Sequence, residues 1–151
     1  MEHTASEVAQ WFLNHNAYEQ KLNGDIEYIS DLKLQKLLYY AYGCYLALFN
    51  KRLFREPILA WQHGPVVESV YHEYKKFGAQ GIDTFEPVTE SFTTEEDSVL
   101  EWVYETFGQY TAWALRNMTH EETPWKETPQ SKVISDTLIK EYFKQHYVEE
   151  A

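Results

Sequence analysis

Leu32-Lys33-Leu34-Gln35-Lys36-Leu37-Leu38-Tyr39-Tyr40-Ala41-Tyr42-Gly43-Cys44-Tyr45-Leu46-Ala47-Leu48-Phe49 decides the fold. Ser30 or Asp31 can cap a helix here, and no Gly or Pro interrupts the run before Gly43. Leu34, Leu37, Leu38, Ala41, Tyr45 and Leu48 make one face, while Tyr39, Tyr40, Tyr42 and Leu46 occupy much of the rest. A helix apolar nearly all round is a buried one. At about 1.5 Å per residue it spans roughly 27 Å, the width of a small domain, so the other helices must pack around it. Cys44 inside it reads as a packed thiol, because no cation or His at helical spacing would lower its pKa. A lone cysteine excludes an internal disulfide and fits a reducing cytoplasm.

Working outward, Thr4-Ala5-Ser6-Glu7 is a capping-box pattern, followed by Val8, Trp11, Phe12 and His15 at helical spacing. Asn16 to Asp25, with Asn23-Gly24 inside it, reads as a loop. After Glu56-Pro57, the short run Ile58 to Gln62 suits a strand. His63-Gly64-Pro65 then predicts a helix start with Pro65 at its first position. Val67, Val70, Tyr71 and Tyr74 would form that helix's stripe, and Gly78 its stop. Residues 79 to 92 are turn-rich and acidic, with room for a short β-hairpin with residues 58 to 62.

Thr94-Glu95-Glu96-Asp97 predicts the next helix, with Leu100, Val103 and Phe107 buried and Gly108 stopping it. Thr111 or its neighbour caps a short helix carrying Ala112, Leu115 and Met118. Thr119 to Pro129 reads as a polar loop. The last helix, roughly Ser131 to Tyr147, is expected to bury Ile134, Leu138 and Tyr142. The expectation is a mainly α, single compact domain over residues 1–151: about six helices around the buried helix 32–49, with one short β-hairpin. A chain of 151 residues is long enough for this, since such a domain buries about 68–70% of its unfolded surface.

Asp plus Glu outnumber Lys plus Arg by 24 to 13, a formal net charge of −11. A nucleic-acid binder needs a basic stripe, and none is present, so no direct nucleic-acid partner is expected. A partner with a basic surface is favoured instead. Nothing marks a secretory signal or a membrane span, so the chain is expected to be cytoplasmic with no membrane partner. The aromatic share is high, 17%, which suits amphipathic core edges or a contact surface.

Chemistry is hard to find. Thr119-His120-Glu121-Glu122 resembles the start of a zinc-protease motif, but position 124 is Pro, where the second His should stand on a helix. His63, His72 and His120 could meet around a metal only by coincidence of folding. There is no phosphate-cradling Gly loop, nucleophile elbow or Cys-x-x-Cys pair. No catalytic residue, metal ligand or cofactor is assigned, and the chain is not expected to be an enzyme. Two segments nevertheless look deliberate: Ala60-Trp61-Gln62-His63-Gly64-Pro65-Val66-Val67 and Thr119-His120-Glu121-Glu122-Thr123-Pro124-Trp125. The plain reading is that their tryptophans pack, their histidines bond locally and their prolines set turns. The functional reading is that they lie together and flank a groove for a peptide or protein partner.

Leu32 to Gly43, then Ala60 to Val67 with Val70-Tyr71, then Thr119-His120 with Pro124-Trp125, resemble in order and spacing the signature blocks of the Panacea antitoxin domain. That family is also known through SocA-like and phage-associated GepA-like proteins. The resemblance runs over about 140 residues and implies a helical antitoxin that neutralises a toxin by direct contact, the toxin being encoded by a neighbouring gene. Some SocA-like members act as adaptors that deliver the toxin to a ClpXP-type protease, which is the alternative function here. A small His-dependent hydrolase using His63 or His120 is the remote one. Many relatives carry a DNA-binding or other accessory segment, and regulation of its own transcription by DNA binding is not read from this sequence. The family-signature or partner-contact positions are Trp61, His63, Gly64, Pro65, Val67, Tyr71, His120, Pro124 and Trp125.

Overall fold

The computed structural model describes residues 2–148. Its centre is the long apolar run, which forms helix α2 (Asp31–Phe49) with every side chain from Leu34 to Ala47 buried. Ser30 caps it by accepting from the Lys33 amide, and Asn50 closes it in the left-handed conformation. Helix α1 (Ala5–Leu22) starts with the expected capping box: Thr4 accepts from the Glu7 amide and Glu7 reaches back to the Thr4 amide. It runs past Asn16, where a loop was expected. Asn16 is buried and donates to the Glu27 carbonyl and the Tyr104 hydroxyl, and Gln20 donates to the Ile26 carbonyl. Those tertiary bonds override a weak local preference for turn.

The hairpin lies elsewhere than expected. Strand β1 (Leu59–Trp61) pairs antiparallel with β2 (Gly64–Val66), not with residues 79–92. Pro65 therefore sits in a strand rather than at a helix start. Helix α3 (Glu68–Tyr74) begins three residues later, and a 3₁₀ turn (Lys75–Phe77) carries it to Gly78, which is left-handed at φ +59°. After a turn at Ser131, the segment to Ile134 lies along the other edge of β1, with Val133 bridging Leu59: the Ala60 amide donates to Lys132 O and the Ile134 amide to Ile58 O.

Helix α4 (Thr94–Phe107) is capped one residue earlier than expected, by Thr93 in a box with Glu96. It buries Leu100, Val103 and Phe107, and Gly108 caps its C-terminus. Helix α5 (Ala112–His120) is capped by Thr111. The segment read as a loop holds a single turn, α6 (Thr123–Lys126), with Pro124 in its first turn, where a missing N–H leaves nothing unpaired. Helix α7 (Asp136–His146) starts at a Ser135 cap and buries Ile139 and Phe143, one residue later than the stripe Leu138 and Tyr142. Ile134 is buried, but in the segment beside β1.

The count is thus seven α-helices and one 3₁₀ turn among the described residues, and the fold is mainly α with one short hairpin. Helices α4, α5 and α7 all pack on α2. Gly43 lets α7 approach: a Cβ there would lie 2.4 Å from the Phe143 ring. No helix among the described residues is long and apolar enough to cross a membrane.

Candidate functional site: a cleft between the hairpin and helix α5

The tight loop Gln62-His63 turns the hairpin beside the N-terminal half of α2, leaving an open cleft of about 550 Å³. Asp31, Gln35 and Lys36 of α2 line one side, and Trp61, His63, Tyr71 and Trp113 supply aromatic surface. Trp61 and Tyr71 meet edge to face at 5.1 Å. Trp113 is 55% exposed although it is the largest side chain on α5. The Arg116 guanidinium lies over its ring at 4.3 Å and donates from Nε to His63 Nδ1 at 3.1 Å.

The α2 side is polar in an otherwise apolar helix because β2 is an edge strand whose backbone groups need partners. Gln35 Oε1 accepts from the Val67 amide at 2.8 Å, and Lys36 Nζ donates to Pro65 O at 3.0 Å. Gln35 Nε2 in turn donates to Asp31 Oδ1. Gly64, at φ +109°, lies against Lys36: a Cβ there would sit 2.7 Å from Cε and 2.8 Å from Thr119 Oγ1. Lys36 is 1% exposed. Burial pulls its amine down to about 7, with Asp31 opposing, and burial raises the Asp31 carboxyl.

The second signature segment braces the first. Trp125 Nε1 donates to the Trp61 carbonyl at 2.7 Å, and His120 stacks on Trp125 at 3.9 Å. His120 Nε2 is buried without a hydrogen-bond partner among the described residues. Burial, and then the Arg116 charge, lower its pKa, opposed by the Gln62 backbone. Beside it, Glu122 is 3% exposed and accepts from three hydroxyls, those of Tyr39, Tyr40 and Tyr147. Burial raises its carboxyl pKa, and the phenols oppose that rise.

The expected positions therefore divide into two groups. Trp61, His63, Gly64 and Tyr71 line the cleft. Pro65, Val67 and Pro124 are buried scaffold, and His120 and Trp125 hold the hairpin from behind. His72 sits apart on α3 against Tyr71, and no group of three or more His, Cys, Asp or Glu is placed to hold a metal among the described residues. Cys44 is buried, its thiol pushed up to about 12. Sequence reasoning did not single out Trp113 or Arg116, and it gave Lys36 and Glu122 no role of their own within the segments that contain them. The available signals were a lysine within an apolar helix face and a tryptophan one position off the Ala112-Leu115 stripe.

A second apolar groove of about 500 Å³ lies between the end of α2 and α4, where Leu48 and Trp102 are exposed. Among known proteins, no curated protein and no solved structure gives a significant match. The model of one family, antitoxin SocA-like, Panacea domain, matches residues 34–126, which span α2 from Leu34 onward, the hairpin, helix α5 with Trp113, and the Trp125 brace. That match covers more than half of the 151 residues, and the chain belongs to the SocA-like antitoxin family, the Panacea domain.

Proposed function

We propose that the chain acts in the cytoplasm as a single antitoxin domain that neutralises a toxin by direct protein–protein contact, and that the hairpin cleft is the contact. The observation that carries this reading is Trp113, held 55% exposed beside Arg116 at the mouth of an aromatic cleft within the family-matched segment. Tryptophan, tyrosine and arginine in preformed concave sites are the residues that dominate interface energies. The family description supplies the partner class, a toxin. A net charge of −11 favours fast encounter with a basic toxin.

The test is co-expression with the product of the neighbouring gene. The wild-type chain should restore growth and co-purify with that product. Trp113→Ala should lose both while keeping its helical content, and Trp102→Ala, in the other groove, should lose neither. A wild-type chain that neither rescues nor co-purifies sinks the reading. Toxin that disappears faster only when a ClpXP-type protease is present would replace blockade by delivery.

A further inference from the structure

Charge is distributed unevenly in this molecule. The chain is acidic overall, yet Lys36, Lys75 and His63 line the cleft and Arg116 stands at its mouth. Ion pairs within 4 Å among the described residues are His3 with Glu7 and Glu96, His15 with Glu19, and Arg52 with Asp136. The cleft's cations take part in none of them. Lys36 is the extreme case, a buried amine whose hydrogen bond to Pro65 O uses one of its donors. Asp31 is the carboxylate nearest in sequence on the same wall. It is engaged by Gln35, and burial raises its carboxyl, with the Gln35 bond and then the Lys36 charge opposing. Buried charges are ordinarily paired. Lys36 is a buried lysine with no carboxylate within 4 Å among the described residues; its opposing charge, Asp31, acts from further off, and the open cavity beside it leaves room for a closer counter-ion.

The volume of about 550 Å³ admits a side chain with its flanking residue, and Trp61, Tyr71 and Trp113 give it flat apolar walls. Gly64 supports the same picture. A side chain at 64 would take the space 3.3 Å from Lys36 Nζ. We infer that the cleft is a carboxylate receptor: it takes an acidic side chain of the bound toxin, flanked by an apolar residue, with Lys36 as its counter-ion. This rests on the reading that the cleft contacts the toxin. It makes the recognition locally opposite in sign to the long-range steering, so a toxin basic as a whole presents an acidic residue at this one point.

Phenylacetate and its neutral analogue phenylacetamide are suitable probes, read by tryptophan fluorescence at mildly acidic pH. The wild-type chain should bind the acid about tenfold more tightly than the amide, a difference of about 1.4 kcal/mol. Lys36→Met keeps the stem without the charge and should fold with equal or higher Tm, yet bind the two probes alike. The same variant should weaken the complex with the neighbouring gene's product, and phenylacetate should compete with that product in the wild type. Equal binding of both probes by the wild type, absence of saturable binding, or an acid preference that survives Lys36→Met overturns the proposal. An acid preference without competition overturns the toxin as occupant and leaves a free carboxylate as the ligand. Failure of the product to bind at all, with the acid preference intact, counts against the antitoxin reading and not against the receptor chemistry.

Discussion

Trp125 Nε1 donates to the Trp61 carbonyl oxygen at 2.7 Å, joining the α6 turn to the hairpin across 64 residues of sequence. The bond reads the hairpin's backbone and leaves the Trp61 ring free to wall the cleft. Trp125→Phe keeps a ring for His120 to stack on and removes only the donor. Loss of about 1 kcal/mol is expected by chemical denaturation. Hairpin amides should also exchange faster while those of α2 are unchanged. Uniformly faster exchange would mean that the bond supports the whole fold instead.

Glu122 organises the opposite side of the same segment. Its carboxyl gathers hydroxyls from Tyr39 and Tyr40 of α2 and from Tyr147 after α7. Glu122→Ala strands three partly or fully buried phenols, each costing about 1–3 kcal/mol when unpaired, so a loss of at least about 3 kcal/mol is expected in urea titration. The pH dependence is more diagnostic. Burial raises the folded-state pKa above the ordinary carboxyl value, so the native state holds the proton more tightly than the unfolded chain. Stability from this group is full below the unfolded pKa and declines as pH rises through the folded one. Glu122→Gln should remove that decline, and an unchanged pH profile would show that the tyrosines fully offset burial.

The sequence exposed the parts of this fold that depend on local rules. The apolar circumference of Leu34 to Ala47, the capping box at Thr4, the stop at Gly108 and the Thr111 cap all follow from short-range chemistry. What it hid depends on partners distant in the chain. Asn16 and Gln20 fall in a segment that reads as a loop because Tyr104 and the Glu27 and Ile26 carbonyls that satisfy them are invisible locally. The Gln62-His63 turn lacks the Asn-Gly or Asp-Gly signal of a tight hairpin. Glu122 falls in the expected polar loop and has no role assignable from its neighbours in sequence, because the three tyrosines it bonds, two of them consecutive residues of the central helix, are distant in the chain.

Lys36 gives the opposite pH signature from Glu122. The groups that act on it are Asp31 on its own helix and Arg116 on α5; it acts in turn on His120 of α5, which also feels His63 of the hairpin. Its folded-state value, pulled to about 7, lies well below the ordinary lysine value of 10.5. Between those two values the unfolded chain binds a proton that the native state has lost. Wild-type stability should therefore rise with pH across that window, by on the order of 1 kcal/mol per unit. Lys36→Met should be flatter there and more stable near neutrality. Thermal melts of both proteins in parallel buffers check this, and a parallel pair of curves would show that Lys36 stays charged when folded.

Gly43 tests the packing that brings Tyr147 to Glu122. In most helices Gly→Ala gains about 1 kcal/mol from backbone preference. Here the added methyl would sit 2.4 Å from Phe143 Cζ, and Phe143 is fully buried between Tyr39 and Tyr40. Overpacking a dense core costs about 1–3 kcal/mol, so Gly43→Ala should be net destabilising, and Phe143→Leu should recover part of the loss by making room. The two changes should be non-additive in a double-mutant cycle. Displacing α7 should also withdraw the Tyr147 hydroxyl from Glu122, so Gly43→Ala should alter the Glu122-dependent pH profile, whereas the Trp125→Phe variant should not. A stabilising Gly43→Ala, with an unaltered profile, would mean that α7 packs less closely on α2 than the Phe143 ring indicates.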